Sequence, residues 1–504
     1  MRPKSFFLAL LLIVALAVTS AGCAARSVVR AGSSRVTADS RGALATDLER
    51  IFADPNFAAA QWGVEVVSLD RSEVLYEQNS HSLYMPASNN KLLTSSAALV
   101  RLGPDFRYET TVLADGAISD GVLKGSLRVV GSGDPSLAPR FHSGDAFEVF
   151  REWAKNLKDK GIRRIDGSLV GDDRAFPEPW LGDSWEWDDL AYGYAAPVSA
   201  LQFNENLEIV EIAPAAGEGA PATFTVRPLP NYLAVDFRVQ TGPEGSEASI
   251  EVERAETGES VTIRGTVPLK GGSVTQSIAV RYPTLFYLQA LKESLQGEGV
   301  DVSRCSLKRA QAGSDAEGVT QPLWTQTSVP LAGILKPLLK VSQNLYAETL
   351  ARTLGLAVAR EGTFEKGRTI VEETLRGMAI EKGTYLYADG SGLSRRNLIT
   401  ADSLVRIFKF MYRHKYFEQF FDALPIGGVD GTIESQMRGT KAENNVHAKT
   451  GTIAAVRSLS GYVRTADGEM LAFSMVANNF LVSSKAAEYV QDAAAVRLAN
   501  FSRK

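Results

Sequence analysis

The sequence predicts an α+β fold in which helices cover an antiparallel sheet and β-rich inserted domains interrupt the chain. Near the N-terminus, two segments of alternating apolar and polar residues precede a long apolar helix. Near the C-terminus, three further strand-like segments are joined by short turns and followed by a helix. Between these regions, the chain changes to short strands separated by Gly, Asp and Pro turns. The two ends are therefore expected to form one domain around the insertions.

The length, composition and net charge limit the classes of protein to which this chain can belong. A chain of 504 residues with 45% hydrophobic residues can bury a large core and form more than one domain. The net charge is only −4, and acidic and basic residues are interspersed, so the sequence offers no basic surface for nucleic acid. No nucleic-acid partner is expected.

The first 23 residues predict an export signal. Arg2 and Lys4 precede an apolar run that ends in small residues. Ser20–Cys23 is similar to a bacterial lipobox, although that motif prefers Leu where Ser20 stands. The mature protein is thus expected in the periplasm. A lipid anchor at Cys23 is favoured over simple cleavage, and we expect membrane contact only through this signal or anchor. Residues 24–42 are small and polar and are predicted to form a tether.

The opening elements follow in order. An amphipathic helix is predicted at 43–54, and alternating β-branched segments at 61–70 and 73–79 predict a hairpin. The run "YMPASNNKLLTSSAALVRLG" (84–103) then predicts a buried helix that Gly103 ends.

The middle of the chain, from 104 to 283, is predicted to hold two insertions. Residues 104–136 are assigned together with 207–283 to a β-rich inserted domain, and 137–206 to a second inserted domain with a helix near 145–160.

Helical spacing returns at "YPTLFYLQALKESLQGEGV", so the domain formed by the two ends of the chain is predicted to comprise 43–103 and 284–504. The elements expected in its second part are helices near 330–340, 343–359, 363–378 and 401–413, strands at 444–453, 456–465 and 469–479, and a last helix at 484–500. The lone Cys305 is expected to be buried.

Ser88 and Lys91 carry the first chemical signal. Residues three apart on a helix share a face, so the Ser88 hydroxyl and the Lys91 ammonium can meet. Burial disfavours the charged amine and lowers a lysine pKa, which would make Lys91 a base for its neighbour. Alone, however, a Ser-x-x-Lys sequence is more often a solvated surface or a helix N-cap.

Two later motifs change that balance. Ser342-Gln-Asn344 lies between two predicted helices, and Lys449-Thr-Gly451 lies on a predicted strand. A Ser-x-x-Lys at a helix start, a Ser-x-Asn between helices and a Lys-Thr-Gly on a late strand resemble the motif set of the penicillin-recognising serine enzymes.

The chain resembles one branch of these enzymes, the S13 family of D-alanyl-D-alanine carboxypeptidases/endopeptidases, over about residues 44–500. Four further segments carry the resemblance: "GSGDPSL" (131–137), "GDDRAF" (171–176), "YAAPVSALQFNEN" (194–206) and "DGSGLSRRNLIT" (389–400). The resemblance implies a penicillin-binding, β-lactamase-like fold, a peptidoglycan stem-peptide substrate, acylation by β-lactams, and neither cofactor nor metal.

The resemblance also implies the catalytic roles. Ser88 would attack the terminal D-Ala-D-Ala or cross-link peptide bond, and Lys91, kept neutral by burial and by nearby Lys449, would take its proton. Ser342 would pass a proton to the leaving amine, and Asn344 would hold the substrate amide and Lys91.

The substrate's terminal carboxylate would bind Lys449 and Thr450. Gly451 would let an extended substrate approach the strand, and the backbone N–H groups of Ser88 and Thr452 would form the oxyanion hole.

Asp189 and Arg395 match positions that contact a diaminopimelate side chain in relatives of this family, and Tyr194 would supply the apolar wall of that pocket. For Asp189, an alternative is a solvated loop carboxylate. Trp185 and Trp187 could form a sugar platform, but core or lid packing is favoured.

Three other function classes compare less well. The scattered histidines show no His-Glu-x-x-His spacing, which argues against a zinc peptidase. A serine β-lactamase would not need the large insertion between Ser88 and Ser342. A catalytically silent wall-binding scaffold is disfavoured because all the polar motif residues are intact.

Overall fold

The structure is a computed structural model that describes residues 38–229, 231–255, 257, 259–311 and 320–504. The predicted signal, Cys23 and the tether up to residue 37 lie outside the described residues. In the described ranges the helices are α1 (Ala38–Phe52), α2 (Lys91–Leu102), α3 (Glu148–Asp159), α4 (Pro283–Gly297), α5 (Leu331–Lys340), α6 (Asn344–Ala359), α7 (Phe364–Gly377), α8 (Ala401–Arg413), α9 (Phe417–Ala423) and α10 (Ser484–Ala499).

The strands of the described ranges are β1 (Gln61–Ser68), β2 (Glu73–Gln78), β3 (Glu109–Ser119), β4 (Val122–Val130), β5 (Arg164–Ile165), β6 (Leu169–Asp172), β7 (Leu207–Ala213), β8 (Thr223–Arg227), β9 (Ala234–Gly242), β10 (Ser249–Arg254), β11 (Ser260–Pro268), β12 (Val274–Ala279), β13 (Leu307–Arg309), β14 (Thr320–Thr327), β15 (Tyr385–Leu386), β16 (Leu398–Ile399), β17 (His447–Ile453), β18 (Val456–Arg464) and β19 (Met470–Asn478).

The central sheet joins both ends of the chain, as predicted. Its order is β17-β18-β19-β1-β2, and every neighbouring pair is antiparallel. Strand β19 is buried along its whole length because helices cover both faces of the sheet. One hydrophobic core includes residues of α2 and α5 to α9, and the other includes residues of α1 and α10.

Helix α1 begins at Ala38, so the predicted tether boundary at residue 42 is wrong. Arg41, in the first turns of α1, donates hydrogen bonds to Glu73 Oε1 at 2.6 Å and to the Val74 carbonyl at 2.7 Å. These contacts with β2 hold a turn that is too polar to be recognised as helix from periodicity alone.

The inserted strands pair differently from the prediction. Strands β3 and β4 do not join 207–283; they form a six-stranded sheet of order β13-β6-β4-β3-β14, with β5 paired to β4. Helix α4 packs against α3 in the core of this sheet, where Phe286 and Leu291 contact the same cluster as Phe150 and Trp153. The insertion therefore extends to Thr327, and the predicted boundary at residue 283 is wrong.

Strands β7 to β12 form two three-stranded sheets, β12-β7-β8 and β10-β11-β9. They enclose their own core, which includes Val210, Ile212, Val261, Ile263 and Ile278. Of the other predictions, Cys305 is buried, as expected. None of the helices in the described part of the chain is long and apolar enough to cross a membrane.

Candidate active site

Ser88 lies in a tight turn at the entrance to α2. A short 3-10 turn, Ala87–Asn90, precedes Lys91, the first residue of α2. Ala87 has a φ of 47°, in the left-handed region that non-glycine residues rarely adopt. Behind this turn, the apolar side of α2 is buried and the helix ends at Gly103, whose φ is 82°. The turn thus presents Ser88 on a rigid support.

Lys91 is fully buried and has three polar contacts. Its Nζ lies 2.9 Å from Ser88 Oγ, 2.6 Å from Asn344 Oδ1 and 2.7 Å from the Ser391 carbonyl. Burial lowers the pKa of Lys91 to about 7, although the carboxylates of Asp389 and Glu348 oppose this shift. A large fraction of this amine is therefore neutral near neutral pH.

The two later motifs meet at the same place. Ser342 has a φ of 62° in the turn between α5 and α6, and Asn344 is the first residue of α6. Lys449 Nζ donates to Ser342 Oγ at 2.9 Å and to the Thr450 carbonyl at 2.8 Å. Burial, followed by the charges of Lys91 and Arg457, holds the pKa of Lys449 well below its usual value. The three motifs thus form one connected group of side chains.

Strand β17 carries Lys449 to Thr452 at the edge of the central sheet. A Cβ at Gly451 would lie 2.6 Å from the Pro86 carbonyl oxygen and 2.8 Å from the Ser88 backbone nitrogen. Glycine therefore allows this strand to pass directly against the Ser88 turn. Because β17 is an edge strand, an extended peptide can add to it by main-chain hydrogen bonds.

Replacing Gly451 with alanine is expected to slow acylation of Ser88 about 100-fold, because the new methyl group must displace the backbone beside Ser88. The measurement is the rate of adduct formation with benzylpenicillin. Gly377→Ala is the matched control, since nothing lies within 4 Å of a Cβ at that position. Equal acylation rates for Gly451→Ala and the control would contradict this account.

Two buried carboxylates, Glu348 and Asp389, support Lys91, and no sequence pattern predicted this role for either. Glu348 accepts hydrogen bonds from the Gly390 N–H at 3.0 Å and the Ser391 N–H at 2.7 Å. Asp389 accepts from the Gly392 N–H at 2.6 Å and from other donors of the same loop. Together they fix the Ser391 carbonyl that contacts Lys91. Burial, with the charge of Asp389, raises the pKa of Glu348.

The remaining predicted residues line the cavity next to Ser88. This cavity has a volume of about 390 Å³, and its lining includes Ser88, Asp189, Tyr194, Ser342, Asn344, Arg395 and Thr452. Tyr194 Oη donates to Asp189 Oδ1 at 2.6 Å, and Arg395 Nη1 donates to the Ala454 carbonyl at 3.0 Å. A carboxylate and a guanidinium therefore border the space in front of Ser88.

A second opening of about 370 Å³ is lined by Ser88, Ser342, Thr432, Thr450, Gly451, Thr452, Arg457 and Glu488. Thr450 Oγ1 lies 2.7 Å from Thr432 Oγ1. Thr450, one of the two predicted carboxylate-binding residues, thus borders the opening that also contains Ser88.

The two tryptophans differ. Trp185 Nε1 donates to Asp389 Oδ2 at 3.0 Å, which fits the predicted packing role. Trp187 is 84% exposed, so the packing prediction is wrong for this residue. Among the residues that the structure describes, no group of three or more His, Cys, Asp or Glu side chains is placed to hold a metal ion.

Comparison with known proteins decides the family. The model of the "D-Ala-D-Ala carboxypeptidase 3 (S13) family" matches residues 44–501. The chain belongs to the S13 family. This membership, together with the penicillin-binding protein fold, confirms the resemblance inferred from the motifs.

Two curated relatives and one solved structure illustrate the match. A D-alanyl-D-alanine carboxypeptidase of Actinomadura sp. (strain R39) is 36% identical over 94% of this chain and 88% of its own. The carboxypeptidase DacB of Haemophilus influenzae is 27% identical over 82% of this chain and 84% of its own. The crystal structure of penicillin binding protein 4 from H. influenzae superposes with a TM-score of 0.75 at 26% identity, covering 89% of this chain and 97% of its own. The H. influenzae protein has also been solved in complex with a β-lactam.

Proposed function

We propose that this S13 enzyme is a serine D-Ala-D-Ala carboxypeptidase and DD-endopeptidase that acts on peptidoglycan stem peptides through an acyl-enzyme on Ser88. The observation that carries the proposal is the contact of a fully buried Lys91 with the Ser88 hydroxyl and with Asn344 of the second motif. The named relatives are D-alanyl-D-alanine carboxypeptidases, which agrees with this chemistry.

The contacts of Lys91 explain how it activates Ser88. A neutral amine has two N–H groups and one lone pair. The carbonyl oxygens of Asn344 and Ser391 can only accept, so they take the two N–H groups. The lone pair then faces the third contact, the Ser88 hydroxyl. This arrangement makes Lys91 the general base of acylation.

The acyl transfer follows from these positions. Ser88 Oγ attacks the carbonyl carbon of the penultimate D-alanine while its proton moves to Lys91 Nζ. The backbone N–H groups of Ser88 and Thr452 stabilise the oxyanion. When the C–N bond breaks, Ser342 relays a proton to the leaving amine. Water then hydrolyses the ester and regenerates Ser88.

Recognition uses charged residues on both sides of Ser88, each opposite in sign to the substrate group that it binds. Lys449 and Thr450 bind the terminal carboxylate of the substrate, and this negative charge favours the protonated form of Lys449. In the cavity on the other side, Asp189 binds the ammonium and Arg395 the carboxylate at the end of a diaminopimelate side chain. Tyr194 supplies the wall of this subsite and orients Asp189.

Asp189→Ala is expected to lower kcat/KM about 10- to 100-fold for a peptide ending in diaminopimelyl-D-Ala-D-Ala, because a charge-assisted hydrogen bond is lost. Acylation by benzylpenicillin, which has no such side chain, should stay within about twofold of the unsubstituted protein. Glu186→Ala is the matched control, since Glu186 is an exposed carboxylate that lines the same cavity. Equal losses with peptide and penicillin would contradict a role for Asp189 in side-chain recognition.

The place of action is also part of the proposal. The N-terminal signal supports export to the periplasm, where peptidoglycan is accessible, and Cys23 in the lipobox-like run supports a lipid anchor. β-Lactams are expected to acylate Ser88 as substrate mimics, in line with the penicillin-binding relative.

The proposed function is tested by incubating the purified chain with isolated muropeptides and separating the products. Loss of the terminal D-alanine from pentapeptides would establish the carboxypeptidase, and conversion of cross-linked dimers to monomers would establish the endopeptidase. If neither product forms while penicillin is rapidly turned over, the protein is a β-lactamase. If nothing reacts, it is a silent scaffold.

A further inference from the structure

A left-handed turn at Asn204, Glu205 and Asn206 ends the segment 194–206, which carries part of the family resemblance but has been given no role above. Their φ values are 49°, 57° and 56°, so three consecutive non-glycine residues occupy the left-handed region. This conformation is unfavourable and persists only where surrounding contacts hold it. Asn204 Nδ2 donates to the Leu207 carbonyl at 2.7 Å, and Asn206 Nδ2 donates to the Pro197 carbonyl at 2.9 Å. Both asparagines therefore stabilise the turn locally, whereas Glu205 makes its contacts elsewhere.

The Glu205 carboxylate accepts hydrogen bonds from three residues in two other segments. Tyr346 Oη donates to Oε1 at 2.6 Å, and Gln343 Nε2 donates to Oε2 at 2.7 Å. Arg140 donates to both oxygens, with Nη2 at 3.1 Å from Oε2. The Glu205 side chain is only 10% exposed, so these bonds form with little competition from water.

Gln343 connects Glu205 to the active site. It is the residue between Ser342 and Asn344, and its Oε1 accepts from the Leu345 N–H at 3.1 Å, which caps α6. Only the amino end of an amide can donate to a carboxylate. Glu205 therefore fixes which way the Gln343 amide points, and with it the cap that sets the Ser342–Asn344 turn.

We propose that Glu205, held by Arg140, is a positioning residue for the Ser342–Asn344 turn. It lies in the inserted region, and Arg140 and Glu205 line a cavity of about 550 Å³ whose lining does not include Ser88, Ser342 or Asn344. Ser342 has a φ of 62° in this turn, and the turn relaxes without the support of Glu205. Asn344 then loses its alignment with Lys91, and Ser342 loses its alignment with Lys449. The inference rests on the proposed roles of Ser342 and Asn344.

The decisive variant is Gln343→Glu. A glutamate keeps the acceptor that caps α6 but places a second carboxylate against Glu205. Acylation by benzylpenicillin and kcat for D-alanine release are expected to fall about 30-fold, with KM within about threefold. The reason is that the alignment of Ser342 and Asn344 matters more for the transition state than for substrate binding. Acylation at the rate of the unsubstituted protein would overturn the proposal.

A reversed pair tests the contact itself. In Glu205→Gln/Gln343→Glu the amide at 205 can donate to the carboxylate at 343. The double variant is expected to recover acylation to within about fivefold of the unsubstituted protein, whereas each single variant is slower. If the fold-loss in acylation rate of the double variant equals the product of the two single fold-losses, the proposal is overturned. Two independent structural defects would give that result, because their free-energy costs add.

A third variant separates an effect on the active site from a failure of the protein to fold. Arg140→Gln removes only a partly exposed side chain, and its kcat is expected to fall about fivefold at unchanged KM. An unchanged kcat in this variant would overturn the assignment even if Gln343→Glu failed to fold. Arg238→Gln is the matched control, since Arg238 pairs with Asp236 in an exposed ion pair of the inserted strands. An unsubstituted protein with no adduct on Ser88 would instead refute the proposed function.

Discussion

Replacing Ser88 with alanine is expected to abolish both D-alanine release and acylation by benzylpenicillin. No other hydroxyl contacts Lys91 Nζ in the described part of the chain, so the base would have no nucleophile to activate. Removing the nucleophile of a serine hydrolase lowers kcat by about 10⁶-fold, and hydrolysis would fall to that residual level. The measurements are D-alanine release and intact mass after incubation with penicillin.

Ser96→Ala is the matched control for this substitution. Ser96 is also a buried serine of α2, but its Oγ donates to the Leu93 carbonyl at 3.2 Å, within the helix. The control should keep nearly full activity. A Ser88→Ala protein that still forms a penicillin adduct at the original rate would show that the nucleophile lies elsewhere.

Lys91→Met is expected to lower the acylation rate about 10³- to 10⁴-fold, because an unbranched apolar side chain fills the site but cannot accept the Ser88 proton. Substrate binding through Lys449 and Thr450 should change much less, so the loss appears in kcat. The measurement is single-turnover acylation by benzylpenicillin. A variant within tenfold of the unsubstituted protein would contradict a general-base role for Lys91.

The same assignment fixes the pH dependence. The pKa of Lys91 is lowered to about 7, and the neutral amine is the active base. Acylation by the unsubstituted protein is therefore expected to rise about tenfold per pH unit below 7 and to level off above it. Lys91→Met should lack this step. A rate that falls as the pH rises from 6 to 8 would contradict the assignment.

The sequence predicts the central sheet well, and the reason is physical. Strand β19 is a nearly continuous apolar run that follows a short turn, and α2 has an unbroken apolar face with a glycine stop. The boundaries of the insertion are harder to predict, because helical spacing does not tell which core a helix faces. The sequence therefore assigns α4 to the domain of the central sheet, whereas the helix packs in the inserted domain. Likewise, β14 pairs with β3 across about 200 residues of sequence, which no local pattern reveals.

The catalytic motifs were accessible because their residue types and contexts are specific. The buried carboxylates that support Lys91 could not be predicted in the same way, since burial of a carboxylate depends on tertiary packing. The position of Glu348 is nevertheless visible in the sequence: Glu348 follows Asn344 by four residues on α6 and therefore lies on the same face of the helix. Glu205 lies in the segment 194–206 that carries part of the family resemblance, but no sequence pattern predicted its role, because its contacts depend on a left-handed turn.

The most direct test of a Ser88 acyl-enzyme is the intact mass of the purified chain from residue 24 after incubation with benzylpenicillin, followed by peptide mapping. We predict one stable penicilloyl group, located on the peptide that contains Ser88. An adduct on another residue, or an unmodified protein beside intact penicillin, would contradict the account.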